Sequence, residues 1–166
     1  VGALLFLILI VVYANPVSWY RNWQELAMTP LTIKKNYLYT TSAEMRASLW
    51  WLGWKSFRQV NPLTGAGTGD VLVLMEATAR AHEISNSIDS KNPHNQYLYL
   101  LIGNGVIALL VFLLYLLVPF YKALKGRDYL MVALTFLFAA LCLTETALEL
   151  QKGIVFFSIV HSLLAF

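Results

Sequence analysis

The chain sets four apolar runs, residues 1–14, 97–120, 129–143 and 153–166, around one long polar connection over residues 15–93. The run at 97–120 has Asn104 as its one strongly polar side chain and is longer than the roughly 20 residues that cross a bilayer as a helix. The pattern predicts a transmembrane helix over 94–120, a short loop at 121–128 and two further membrane segments within 129–166, the last truncated. Residues 1–14 are too short to span alone and are read as a partial transmembrane helix, or as the apolar core of a signal peptide. The expected fold class is all-α: a polytopic helical membrane protein of about four membrane segments. Opening on Val1 inside an apolar run, the sequence reads as a piece of a longer protein.

The polar connection has elements of its own. Thr41-Ser42-Ala43-Glu44 is a capping-box pattern and starts a predicted helix over 42–60. Arg46, Leu49, Trp50, Gly53, Trp54 and Phe57 follow at helical spacing and give it an aromatic face. That face either lies in the membrane interface, where tryptophan is favoured, or packs against neighbouring helices. Pro62 ends the helix and opens a glycine-rich turn over 61–70. The turn lacks the Lys-Ser/Thr of a P-loop and the spacing of a dinucleotide fingerprint. Gly65, Gly67 and Gly69 either let the backbone approach a neighbour closely or cradle phosphate oxygens through backbone N–H groups. Residues 71–91 read as a short amphipathic helix and a polar loop, with no chemistry assigned to His82 or Glu83.

Composition narrows the class. The chain is 58% hydrophobic and 13% charged with a mean hydropathy of +0.62, against about 45–50% and 25% for soluble domains. Its net charge of +3 comes from dispersed basic residues without a nucleic-acid motif, so no nucleic-acid partner is expected. Cys142 stands alone, cannot form an internal disulfide and reads as a small hydrophobe. Lys122, Lys125 and Arg127 against Asp128 mark loop 121–128 as cytoplasmic, since short basic loops stay inside. Residues 15–93 and 145–152 then face outward, which in a bacterium is the periplasm.

In that frame Asn92-Pro93-His94-Asn95-Gln96-Tyr97-Leu98 puts an imidazole at a membrane surface. His94 can move a proton near neutral pH beside a lipid-borne substrate, or simply cap the helix that follows. Arg46 is fixed on the ordered helix 42–60, where its plain reading is an arginine snorkelling to headgroups. Glu145 and Glu149 share a helix face near the outer boundary. Glu145 is a candidate to position His94 or an arginine, and Glu149 to pair with Lys152. Arg58, Arg80, Lys34 and Lys35 read as solvated or lipid-facing charges. Tyr97 and Tyr99 suit an interfacial aromatic belt, or stacking on sugars. His82, His94 and His161 have no close metal-ligand spacing, and Asp-x-Asp, His-Glu-x-x-His and Gly-x-Ser-x-Gly are absent. No metal or cofactor is expected.

Taken together, Arg46-x-x-x-Trp50, Asn61-Pro62-Leu63-x-Gly65-x-Gly67-x-Gly69, Pro93-His94-Asn95-x-Tyr97-Leu98 and Gly105 resemble the C-terminal half of the O-antigen ligase and polymerase family. Leu143-Thr144-Glu145 and Gly153 resemble its last segments, in particular those of Bacteroidetes-like members. The resemblance implies a multi-pass glycosyltransferase of the bacterial inner membrane with its active site facing the periplasm. Such enzymes move a glycan from undecaprenyl diphosphate to a hydroxyl of the lipid A core, or to another glycan in a polymerase. It further implies that His94 and Arg46 are catalytic and that Gly65, Gly67, Gly69, Asn95 and Glu145 contact substrate. The family's ligases carry a further arginine in an earlier segment, so these 166 residues alone are not expected to catalyse. A non-catalytic membrane binding or transport protein is the reading from another class. Internal repeats and charged mid-membrane positions would favour it, and the sequence has neither.

Overall fold

The structure is a computed structural model that describes residues 42–82, 84 and 92–165. The apolar run 1–14, Lys34, Lys35, Thr41 of the capping box and Glu83 lie outside the described residues. Among the described residues five α-helices follow one another: α1 (Ser42–Phe57), α2 (Val71–Ala81), α3 (Gln96–Gly126), α4 (Tyr129–Thr144) and α5 (Gln151–Ala165). The described residues contain no strand, only an isolated antiparallel bridge between Asn61 and Gly65.

Charge and periodicity both suit α1. Glu44 stands in its first turn and Lys55 in its last, each at the favourable end of the helix dipole. Leu49 and Leu52 are completely buried, with Ser48 and Ser56 on the same side. The aromatic face expected of this helix is therefore divided. Leu49 and Gly53 point inward, while Trp50 and Trp54 stay 37% and 50% exposed. Helical geometry ends at Phe57, short of the expected Val60, and Arg58, Gln59 and Val60 continue in turn-type bonds. Val71, Met75, Thr78 and Ala79 of α2 complete an outer core with Leu49, Leu52, Tyr99 and Ile102.

The sequence predicts one continuous span over 94–120, but α3 breaks at Gly105, whose φ of 73° and ψ of −172° are not helical. Helix breaks orphan backbone groups, and here the glycine-rich turn takes them up. Ala66 N–H donates to Ile102 O (2.9 Å), Gly67 N–H to Gly103 O (2.7 Å) and Val106 N–H to Pro62 O (2.8 Å). A Cβ on Gly65 would collide with the Gly103 backbone, and one on Gly105 with the Leu63 carbonyl. Close approach at this interlock requires glycine on both sides.

The bend is sharp. Tyr97 and Phe112 would stand about 22 Å apart along a straight helix, yet their ring centroids are 5.7 Å apart. Residues 96–104 form a first leg of about 13 Å covered by α1, α2 and the turn. Residues 106–126 form a second leg of about 31 Å, matching the roughly 30 Å of a bilayer core. α3 is long and apolar enough to cross a membrane, and Ile107, Leu110, Val111, Leu114, Leu117 and Val118 of the second leg are exposed.

Arg127 in a left-handed conformation ends α3, and Asp128 accepts Met131 N–H to start α4 in the reverse direction. Phe112 and Leu116 pack with Phe138, Cys142, Ala147 and Phe157 in a second core, where Phe138 and Phe157 stack at 3.8 Å. The outer end of α4 thereby returns to the start of α3.

Candidate functional site

Three segments meet outside the second core: the N-terminal half of α1, residues 92–97, and the exit of α4. Asn92 shapes the middle one. Its Oδ1 accepts His94 N–H at 2.9 Å and Thr146 Oγ1–H at 3.3 Å. His94 has a φ of 44°, a left-handed conformation uncommon outside glycine that costs on the order of 1–3 kcal/mol. Asn95 Oδ1 then accepts Leu98 N–H and caps α3. With the cap taken by Asn95, the His94 ring is left for another task.

That ring meets Glu145. The Nδ1 of His94 lies 3.2 Å from Glu145 Oε2, and Arg46 Nη2 lies 3.9 Å from Glu145 Oε1. One carboxylate thus stands between an imidazole and a guanidinium brought from three separate segments. The side chains are 29%, 38% and 41% exposed for His94, Glu145 and Arg46. Exposed ion pairs contribute only about 0–1 kcal/mol, so this cluster adds little to stability. With hydrogen on Nδ1, His94 donates to Glu145 and presents the lone pair of Nε2. Carboxylate, oriented imidazole and a loosely held guanidinium suit proton abstraction beside a developing anion. No group of three His, Cys, Asp or Glu side chains among the described residues could hold a metal.

The remaining expected residues divide by position. Asn95 comes to the cluster, but its side chain is buried and engaged at both ends, accepting from Leu98 N–H and donating through Nδ2 to Leu143 O at 3.1 Å. Its side-chain oxygen and nitrogen are thus both engaged inside the protein. Gly65, Gly67 and Gly69 lie on the turn at the opposite end of the first leg of α3. Gly65 N–H donates to Asn61 O and Gly67 N–H to Gly103 O, so both N–H groups are engaged within the protein. A Cβ on Gly69 would meet nothing within 4 Å. Of the two readings of these glycines, close approach explains Gly65.

Tyr97 and Tyr99 are tied by their hydroxyls, to Ala139 O at 2.9 Å and Thr68 O at 3.1 Å; the Tyr99 ring is buried, and the Tyr97 ring packs on Phe112. Glu149, expected beside Lys152, stands by Tyr99. Arg58 is exposed, and Arg80 pairs with Glu76 at 2.7 Å. His82 donates through Nδ1–H to Thr78 O and sets its ring edge-on to Trp51. Sequence reasoning missed Asn92, Gln96 and Thr146. Their signal was polarity at the mouth of an apolar helix, which says nothing of the partner, because Thr146 and Leu148 are distant in sequence.

No curated protein and no solved structure matches the chain. The O-antigen ligase family model does, over residues 1–113, a stretch that includes Arg46, the glycine turn, His94 and Asn95 but ends before Glu145. Proteins of that family are bacterial membrane proteins of lipopolysaccharide and polysaccharide assembly. The match covers more than half of the sequence and spans two of the three segments that build the cluster, and the chain belongs to the O-antigen ligase family.

Proposed function

We propose that this protein is an O-antigen ligase-like glycosyltransferase that moves a glycan from undecaprenyl diphosphate to a hydroxyl of the lipid A core on the periplasmic face of the inner membrane. The observation that carries this reading is the His94 Nδ1 to Glu145 Oε2 contact of 3.2 Å, because it leaves Nε2 as a base. The acceptor oxygen attacks the anomeric carbon while its proton passes to His94 Nε2. The bond from that carbon to the diphosphate oxygen breaks on the opposite face, so the configuration inverts. Negative charge grows on the departing diphosphate, and the Arg46 fork meets it with paired, charge-assisted hydrogen bonds. At 3.9 Å from Glu145, Arg46 is held near the site without being committed to a tight partner.

Base catalysis of this kind contributes about 10²–10⁴ in rate. Glu145 fixes the imidazole tautomer and balances the imidazolium that forms. The basic cytoplasmic loop at 121–128 supports placing His94 and Glu145 outside. Arg46 supplies the charge stabilisation that a metal ion supplies in other transferases, so the reaction is metal-independent. Activity belongs to the full-length protein, and membrane lipid surrounds the second leg of α3.

Mass analysis of products tests the reading. Full-length protein is incubated, without added metal, with an undecaprenyl-diphosphate glycan and a lipid A-core acceptor. Glycan on the core supports the ligase. Longer chains left on the polyprenyl carrier would instead make it a polymerase of the same architecture, and the absence of both would overturn glycosyl transfer.

A further inference from the structure

We propose that Asn95 and Gln96 are positioning residues that latch the exit of α4, and with it Glu145, onto the segment that carries His94. The inference rests on the transferase reading above. Consecutive side chains on one segment reach consecutive points on the other: Asn95 Nδ2 donates to Leu143 O at 3.1 Å, and Gln96 Oε1 accepts Leu148 N–H at 2.8 Å. The two bonds bracket Glu145. Asn92 Oδ1 adds a shared anchor, since it accepts from both His94 N–H and Thr146 Oγ1.

The latch has a task that the cluster cannot perform for itself. Glu145 has an extended backbone, with φ −143° and ψ 152°, where the chain leaves α4. Its contacts to His94 and Arg46 are part-exposed and too weak to hold a backbone segment in place. Alignment of the carboxylate with Nδ1 therefore comes from its neighbours. Asn95 performs two roles with separate atoms, its oxygen capping α3 and its nitrogen holding Leu143.

Gln96 is the more telling of the pair. It is completely buried, yet its Nε2 has no hydrogen-bond partner. A buried donor without a partner destabilises a fold. The amide at this position is a poor choice for stability, and what it provides is the one acceptor for Leu148 N–H. Replacing it by methionine removes the latch and exchanges one unpartnered donor, Gln96 Nε2, for another, Leu148 N–H.

The test measures kcat, KM and thermal midpoint of full-length Gln96→Met and Asn95→Ser, each alone and combined with Glu145→Gln. Serine keeps a capping oxygen but is too short to reach Leu143. In the parent, a misplacement near 1 Å should lower kcat by about 10²-fold while KM stays within about twofold, and Gln96→Met, in which the loss of one unpartnered donor offsets the gain of another, should leave the midpoint nearly unchanged. In the Glu145→Gln background the same substitutions should lower kcat by less than about threefold, because nothing remains to align. Equal fold losses in both backgrounds, or a midpoint that falls in step with kcat, would overturn the latch and leave the transferase reading intact. Parental kcat in Glu145→Gln alone would overturn the latch together with the role given to Glu145, whereas absence of transfer by the parent protein would overturn the reading beneath both.

Discussion

Gly105→Ala should disable this protein twice, once through its fold and once through its site. Gly105 holds a φ of 73° and ψ of −172°, a region essentially restricted to glycine that costs another residue on the order of 1–3 kcal/mol. The added Cβ would also collide with the Leu63 carbonyl, and overpacking of this kind costs about 1–3 kcal/mol. Relieving the collision pulls Val106 N–H from Pro62 O, a further loss of about 1 kcal/mol. A loss of several kcal/mol is a large part of the roughly 5–15 kcal/mol that stabilises a domain. Where the protein still folds, the first leg of α3 acts as a lever. It is about 13 Å long, so a rotation of about 5° at the break displaces the His94 end by about 1 Å, enough to lower the rate by about 10²-fold. Thermal unfolding of the detergent-purified protein and glycan transfer per folded molecule measure the two effects. Gly69→Ala is the control, expected within about 0.5 kcal/mol of the parent, because its Cβ meets nothing within 4 Å. Parental midpoint and parental transfer in Gly105→Ala would refute both the interlock and the lever.

Other outcomes follow from single residues. Arg46→Lys should lose most transfer, because a point charge cannot reproduce the bidentate fork; steady-state rates check this, and full activity would leave only a general electrostatic role. Thr78→Val removes the acceptor of both Ser56 Oγ and Gln59 Nε2 and should destabilise by about 1–3 kcal/mol with transfer per folded molecule unchanged, as unfolding curves and specific activity together report. Transfer should persist in excess chelator; loss of activity that added divalent cation restores would contradict metal independence.

What was legible in the sequence depended on local pattern. Helical spacing placed α1 and α2, and Pro62 and the glycines marked the turn. The run at 97–120 misled because apolarity reports burial or lipid contact without saying which. Its upper part is covered by protein and its lower part carries the exposed apolar surface, and the boundary is Gly105, whose conformation depends on the turn some 40 residues earlier. His94 was named from its place at the mouth of the apolar run and Arg46 through motif resemblance, while Glu145 was named as a candidate without its geometry. Asn92, Gln96 and Thr146 were missed, since hydrogen bonds between segments so distant in sequence leave no periodic trace.

The most direct test of the central claim is glycan transfer by full-length His94→Ala, measured by product mass after membrane insertion and helical content have been matched to the parent. The proposed base predicts a loss of at least about 10²-fold with insertion and helicity unchanged. Transfer at near-parental rate would remove His94 from the chemistry and the mechanism with it.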